Sequence, residues 1–461
     1  MRNIDSREPV WEAVRGFLTT WVSLPCGSTI LCACSGGADS VCLLHSLWKV
    51  SQSLDIRVAA AHYNHHLRGE ESERDEQFVR ELTEALGVEL ISGEGDVAGR
   101  AKKISCGIEE TAREMRYTFL QEAARKAGAE VIATAHNAND NAETLLMHLL
   151  RGTGTRGLSG IPPVRGTIVR PLLTVSREEI EAYLLRHGLS HVEDSSNRED
   201  TYARNRVRHQ LLPVLEELSP GIISRLNRTA EHARADEEYL CGEAEKMLAR
   251  AEQKGDTLCI PAGLLGESHP AVAVRAVRML LGRVRAGNDN CTSAHLKELL
   301  ELCRGEKASG ILQLPGGIFV RREYDRVLFT TQMSAPIAGC HPLKMPGETM
   351  VGEYRLICRR CRYQGEQQRP EHFFLSGRYN EVRVRARRTG DMLCRPGRKR
   401  KSLKKLLIDE KIPLQRRDTL PVLEISGQTA AAAELGPDIA FLPEFGEMCW
   451  EIMITESQNI D

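Results

Sequence analysis

Ser35-Gly36-Gly37-Ala38-Asp39-Ser40 packs hydroxyls, adjacent glycines and a carboxylate into six residues. The apolar run TILCAC precedes it, and VCLLHSLW follows with apolar residues at helical spacing. The pattern is strand, glycine turn, helix start. Adjacent glycines let the backbone approach a ligand and take positive φ. A helix opening near Asp39 points unpaired N–H groups and its positive dipole end at the turn. Such a turn cradles phosphate. A carboxylate there calls for a cation between it and the phosphates, which makes Asp39 a candidate Mg²⁺ ligand. An ordinary turn explains SGG alone. It explains the full hexapeptide between a buried strand and a helix less well, so Ser35, Gly36, Gly37, Ala38, Asp39 and Ser40 are read as nucleotide-binding.

Other groups of residues carry further chemistry. His136 precedes Asp140 and Glu143, which stand three apart and share a helix face. Dipole stabilisation alone favours acids at a helix start, yet paired carboxylates beside a nucleotide site also suit a cationic substrate group. Arg113 and Arg116 lie one turn apart and suit the charge of a transferring phosphate. Glu193 to Asn197 forms a polar loop leading to Tyr202, Arg204, Arg206 and Arg208. Arginines interleaved with an aromatic suit phosphate or nucleic acid, and a solvated helix start looks the same. Between Arg383 and Lys405 the cations Arg383, Arg385, Arg387, Arg388, Arg395, Arg398, Lys399, Arg400, Lys401, Lys404 and Lys405 face one acid, Asp391, in that stretch. In a chain of formal net charge −1 this concentration is the footprint of a polyanion-binding patch. Cys358-Arg-Arg-Cys361 is a lone CxxC, more readily a surface thiol pair than a metal site.

Alternating elements must position these groups. Residues 8–24 read as an amphipathic helix with Val10, Trp11, Val14, Phe17, Leu18 and Trp21 on one face. Strands are expected at 29–34, 57–64, 88–92, 131–136 and 167–170, and helices at 70–86, 108–127, 139–150 and from Ser176, whose spacing to Glu179 is that of a capping box. Strands that are nearly all apolar, alternating with helices, predict an α/β fold with a doubly wound parallel sheet. Such sheets bind ligands at the carboxyl ends of their strands. Ser35 to Ser40, His62, Asn64 and His136 fall there. Gly152-Thr-Gly154-Thr-Arg-Gly157 matches GxGxxG but follows a helix, so the dinucleotide reading fails. A charged linker helix is expected over 222–251, helices over 270–284 and 293–303, and a hairpin from 311 to 329. The domain expectation is 1–215 catalytic, 216–333 linker helix and helical module, 334–380 connector without clear periodicity, and 381–461 a basic α+β module.

At 461 residues the chain exceeds one ordinary core, so two to four domains are expected. Its 41% apolar and 27% charged residues are those of a soluble globular protein. No window approaches 18 uncharged apolar residues, and MRNIDSREPVW lacks an apolar segment of the secretory kind. Fourteen scattered cysteines then read as reduced thiols in a cytoplasmic protein.

SGGADS resembles the PP-loop of N-type ATP pyrophosphatases, not the GxxxxGK[ST] loop, which is absent from the sequence. With HYNHHLRG at 62–69, AREMRY at 112–117, HNANDNAET at 136–144, LLRGTGTRGLSGIPP at 149–163, RPLL at 170–173, EDSSN at 193–197 and YARNRVR at 202–208, the first half resembles the tRNA(Ile)-lysidine synthase family. LQLPGG at 312–317 and GDMLCRPGRKRKSLKKLLIDEKIP at 390–413 fit that family's two extra tRNA-binding domains. The resemblance implies an ATP- and Mg²⁺-dependent enzyme. It adenylates C2 of the wobble cytidine of a tRNA(Ile) with a CAU anticodon, releases pyrophosphate, and lets the ε-amine of free L-lysine displace AMP. It implies ATP at 35–40 with His62 and Asn64, catalysis by Asp39, Arg113, His136, Asp140 and Glu143, and lysine on Asp140 and Glu143. It also implies tRNA on Arg204, Arg206, Arg208, Arg398, Lys399, Arg400, Lys401, Lys404 and Lys405. A lysine amine has a pKa near ~10.4 and must lose a proton before attack, with His136 the candidate acceptor. The family often carries two adjacent aspartates where this chain has Asn139-Asp140. The rival reading is a PP-loop tRNA thiolase or another adenylating tRNA-modifying enzyme. Monomer and homodimer are both open.

Overall fold

A computed structural model describes residues 8–22, 24–66, 69–104, 107–192, 203–285, 290–305, 307–333 and 335–456. EDSSN and Tyr202 lie outside them, as does Cys106. The chain divides into two compact units, 1–239 and 240–461.

The first unit is built on β1 (Thr29–Ala33), β2 (Arg57–Asn64), β3 (Glu89–Glu94), β4 (Ala129–Ala133), β5 (Val164–Arg165) and β6 (Ile168–Val169). Their order is β3-β2-β1-β4-β6-β5, parallel except for the β5–β6 pair. Helices α1 (Pro9–Phe17), α2 (Ala38–Leu54), α3 (Glu70–Leu86), α4 (Val97–Ile104), α5 (Ile108–Ala127), α6 (Ala138–Arg151), α7 (Thr155–Leu158) and α8 (Arg177–His187) alternate with the strands. Ile30, Leu31 and Cys32 of β1 are fully buried, as a strand covered on both faces requires. Strand order reverses between β1 and β4, so a crevice opens at their carboxyl ends. The doubly wound reading holds. So does the capping box at Ser176, where Ser176 and Glu179 each accept the other's backbone N–H.

The differences are local. β4 ends at Ala133, so His136 sits in the loop beyond the strand. Trp21 is 44% exposed rather than on the apolar face, because α1 gives way to a π-helical turn over Leu18–Val22. α4 had no counterpart in the periodicity; Gly99 and Lys102-Lys103 dilute its apolar pattern.

α1, α2 and α8 meet through a buried polar knot. Trp11 Nε1 donates to the Tyr183 hydroxyl at 2.7 Å, and that oxygen lies 2.5 Å from His45 Nδ1. Burial lowers His45 to about 4, helped by the neighbouring His187 and Lys49.

After α8 come α9 (Ala203–Arg206), a π-helical segment Val207–Leu211, α10 (Leu212–Leu218) and α11 (Ile222–Leu248). The second unit begins with β7 (Glu252–Lys254), β8 (Thr257–Pro261), α12 (Ala262–Gly266), α13 (Pro270–Val284), α14 (Ser293–Arg304), β9 (Ser309–Leu314), β10 (Ile318–Glu323) and β11 (Arg326–Thr330). Five of these are one sheet, β7-β8-β11-β10-β9, so the expected helical module is a mixed one. Then follow β12 (Cys340–Pro342), β13 (Gly347–Val351), β14 (Tyr354–Arg362), β15 (His372–Ser376), β16 (Arg383–Arg385), β17 (Met392–Leu393), β18 (Lys401–Ser402), α15 (Leu403–Asp409), α16 (Leu414–Arg417), β19 (Val422–Ile425), β20 (Gln428–Ala432), β21 (Gly436–Pro437) and β22 (Met448–Glu456). Here the expected connector 334–380 is replaced by strands. β13, β14 and β15 join β22 in one antiparallel sheet, and β12 pairs with β16. Tyr354, Leu356 and Cys358 of β14 point into the core while arginines occupy much of the other face, which masked the alternation.

Replacing Tyr183 by Phe leaves Trp11 Nε1 and His45 Nδ1 without their partner, so Tyr183→Phe is expected to destabilise the first unit by about 1–3 kcal/mol in urea denaturation. His45 is neutral in the fold and titrates at an ordinary pKa once unfolded. The unfolded chain therefore binds the extra proton first, and stability falls as pH drops from about 6.5 toward 4. His45→Gln flattens that acid limb.

Candidate active site

The glycine turn leaves β1 with Gly36 at φ +90°, and an added Cβ meets Phe78, Val79 and Val192 at 3.4 Å. Glycine is required there for its conformation, since the Cβ itself would meet only ordinary van der Waals contacts. Gly37 is the N-cap of α2 in extended backbone. The Ser40 hydroxyl donates to Gly37 O at 2.9 Å and accepts from Ser35 N at 3.2 Å, so the turn is closed before any ligand arrives. Ser35, Gly37, Ala38, Asp39 and Ser40 line a cleft of about 1150 Å³, with His62, Asn64, Arg116, Tyr117, His136, Asp140, Arg177 and Arg204 on its other walls.

Asp39 is held by residues that the motif alone does not reveal. Arg177 Nη1 donates to its Oδ2 at 2.9 Å, and Asn137 Nδ2 to its Oδ1 at 3.1 Å. Burial pushes the Asp39 carboxyl up, and these partners pull it back. Asn139 Oδ1 accepts the backbone N–H of Arg177 at 3.0 Å. The residue that departs from the family's acid pair therefore anchors the helix start carrying Arg177. Arg177 follows the Ser176 cap directly, the one sequence signal that could have found it.

His62 and Asn64 reach the cleft, but both are engaged. His62 Nδ1 lies 2.9 Å from Cys34 O, and Asn64 holds Ser72 O, Glu76 and the His66 N–H. They shape the wall by fixing the strand ends.

Positive charge gathers on the opposite wall. Arg113 and Arg116 both approach the Tyr117 ring, each 5.6 Å from its centroid. The Tyr117 hydroxyl faces Arg116 and Arg170. Arg170 is 3% exposed; its Nη1 donates to Pro162 O at 2.5 Å, and its Nε has no partner. Among the described residues none of these three arginines makes a salt bridge, which leaves a cationic group short of its anion. Arg116 lines the cleft; the predicted Arg113 does not. His136, 3.1 Å from Thr134 Oγ1, is lowered to about 3 by burial, then by Arg170, Arg116, Arg204 and Arg113. It is neutral at pH 7 and a weak proton acceptor. The expectation that it takes the proton of lysine is not supported by these surroundings.

The acid pair is not open. Arg204 donates to Glu143 Oε2 at 2.8 Å and Asp140 Oδ1 at 3.1 Å. Arg208 donates to Glu143 Oε1 at 2.6 Å and Asp140 Oδ1 at 3.2 Å. Glu143 is 1% exposed and borders a second cavity of about 400 Å³ with Asp39, Asn137, Asn139, Arg177 and Arg208. Arg204 and Arg208, expected on tRNA, are thus engaged by the acids; Arg206 is exposed.

The basic stretch also divides. Arg385 is buried between Asp391 at 2.9 Å and Glu424 at 2.5 Å. Arg387 pairs with Asp418, Arg395 and Arg398 with Glu410, and Lys401 with Asp409. The fold supplies acids from beyond the stretch. Lys399, Arg400, Lys404 and Lys405 are exposed and, among the described residues, without a salt bridge.

A glycine turn closing β1 at the switch point of a parallel sheet, with an acid and Arg116 on the cleft lining, defines an ATP-using PP-loop enzyme. Residues 16–215 match the PP-loop domain family, and residues 382–454 match the TilS substrate C-terminal domain. The chain is 34% identical over 439 residues to the tRNA(Ile)-lysidine synthase of Geobacter sulfurreducens, covering 92% of each chain. It is 33% identical to that of Geobacillus kaustophilus, over 90% of this chain and 92% of the relative, and 32% identical to that of Symbiobacterium thermophilum, over 91% and 92%. The chain belongs to the tRNA(Ile)-lysidine synthase family.

If the four cations without a salt bridge meet nucleic-acid phosphates, Lys399→Gln, Arg400→Gln, Lys404→Gln and Lys405→Gln together lower the slope of log affinity against log salt by about 0.7–0.9 for each phosphate no longer neutralised. Arg385→Gln instead destabilises the module, because it removes the bidentate partner of Asp391 and leaves Glu424 with Arg388 alone. Filter binding across salt concentrations separates the two.

Proposed function

We propose that this enzyme uses ATP to join free L-lysine to C2 of the wobble cytidine of a tRNA(Ile) with a CAU anticodon, by way of an adenylated cytidine. The observation that carries the reading is the division of charge around the cleft: a phosphate-cradling turn and Arg116, without a salt bridge among the described residues, on its lining, and an acid pair that meets the cleft at Asp140 and a second cavity, shared with Asp39 and Arg177, at the buried Glu143. Family membership supports the substrates, and such substrates fit a cytoplasmic enzyme. Among the described residues no helix is long and apolar enough to cross a membrane.

ATP phosphates lie against the turn 35–40 and the N-terminus of α2, with Arg116 meeting the charge that develops as pyrophosphate leaves. The donor set suits Mg²⁺. Asp39 is one half-buried carboxylate beside hydroxyls, and among the described residues no cluster of three or more acid, His or Cys side chains forms a protein-only cage. Magnesium held by one carboxylate plus substrate phosphates matches that set, and it would neutralise phosphate charge. Asp140 and Glu143 hold the ammonium of lysine, which requires Arg204 and Arg208 to let go. A tRNA backbone reaching this segment competes for those guanidiniums, so lysine binds better after tRNA. With His136 neutral, the carboxylates and the departing phosphate are the bases within the site. Lys399, Arg400, Lys404 and Lys405 give the tRNA a second grip.

A sulfur-transferring rival needs a reactive thiol at the cleft. Cys34 reaches it but is 2% exposed, and Cys32 is fully buried. Burial holds both thiols above their usual range, the opposite of an activated nucleophile.

Asp39→Asn is expected to cut pyrophosphate release about a hundredfold or more with the fold intact by circular dichroism. Asp140→Asn and Glu143→Gln are expected to raise the lysine KM by about tenfold to a hundredfold while lysine-independent pyrophosphate release persists. Loss of adenylation with unchanged lysine KM would reassign the pair to the metal site.

A further inference from the structure

The CxxC cannot act as a pair. Residues three apart on a strand face opposite sides of the sheet. Cys358 is 2% exposed in the core with Leu356, Phe373 and Ile452, whereas Cys361 is on the other face and partly exposed. Its partner comes from far along the chain. β14 and β22 run antiparallel with Cys361 directly opposite Cys449, and the two sulfurs stand 3.4 Å apart.

We propose that Cys361 and Cys449 form a reversible cross-strand disulfide, with a peroxide as oxidant. Directly opposed residues of an antiparallel pair have Cα atoms about 4.5–5.5 Å apart, within the span a disulfide bridges. The sulfurs already touch, so closing the bond needs side-chain rotation and little movement of the backbone. The two thiols differ in access. Cys361 meets solvent and is the first to react. Cys449 is fully buried between β14 and β15 in the middle of its sheet, where burial and the adjacent Cys361 push its thiol up. It is shielded and serves as the resolving thiol.

The chemistry balances. The Cys361 thiolate attacks one oxygen of hydrogen peroxide, the O–O bond breaks, and a sulfenic acid and hydroxide form. The Cys449 sulfur then attacks the Cys361 sulfur, the S–O bond breaks, and water leaves with the thiol proton. Two thiols lose two electrons and two protons, and peroxide becomes two waters. A dithiol reductant reverses the change. The bond closes a loop with a sequence separation of 88 and ties β14, which carries the exposed Arg359, Arg360 and Arg362, to the central strand β22.

The test needs only the native full-length chain. It is treated with a small excess of hydrogen peroxide, alkylated, digested without reductant and mapped by mass. The expected product is a peptide joining Cys361 to Cys449, two hydrogens lighter than its parts and lost after dithiothreitol. Exposed Cys26 and Cys340 serve as internal controls. Oxidation of those two while Cys361 and Cys449 remain alkylatable on unfolding would overturn the proposal, as would irreversible oxidation of Cys361 without the link. In Cys449→Ala a sulfenic acid is expected to accumulate at Cys361 and react with dimedone. In Cys361→Ala, Cys449 is expected to stay a thiol; its oxidation there contradicts the assigned order.

Discussion

Asp39 is a carboxylate forced into a crevice that burial makes hostile to charge, and the rest of the first unit is arranged to keep it there. Arg177 and Asn137 each bind one of its oxygens. Those two residues sit at the starts of α8 and α6, so the positions of both helices are tied to one side chain on α2. Asn139 closes the circuit by holding the Arg177 backbone. A half-buried acid held this way has its charge balanced from within the chain.

Charges that would otherwise cancel are kept apart around this cleft and the second cavity that shares Asp39 and Arg177 with it. Arg116 lines the cleft with Arg113 and Arg170 grouped behind it around Tyr117, and among the described residues none of the three makes a salt bridge. Asp140 and Glu143 have Arg204 and Arg208 upon them. The first group awaits an anion, and the second has had its requirement met from within the chain. Each substrate then changes the balance for the next. In the proposed sequence of binding, phosphate would satisfy Arg116, and a polyanion that draws off Arg204 and Arg208 would uncover the acids.

Much of this was legible in the residues. Apolar runs at 29–34 and 57–64, the hexapeptide between strand and helix, and the Ser176 cap each specify local backbone, and the structure keeps them. The parallel sheet follows from alternation; the strand order that places its switch point between β1 and β4 does not. What was hidden depends on partners distant in sequence. Nothing near Arg204 shows that it meets Glu143, and nothing near Lys401 shows Asp409 folding back on it. The connector was missed for another reason. β14 buries Tyr354, Leu356 and Cys358 but shows arginines to the outside, so its alternation is real but not hydrophobic against neutral. Arg170 was expected as the end of the strand 167–170; burial with an unpartnered Nε marks it as part of the cationic group around Tyr117.

The central claim is that ATP cleavage and lysine transfer are coupled on one RNA base. Purified enzyme is incubated with ATP, radiolabelled lysine and tRNA(Ile) bearing a CAU anticodon, and the RNA, AMP and pyrophosphate are quantified together. The account predicts label in the RNA at the wobble cytidine, with one AMP and one pyrophosphate formed per lysine transferred. Pyrophosphate release with no label in the RNA at saturating lysine would contradict it.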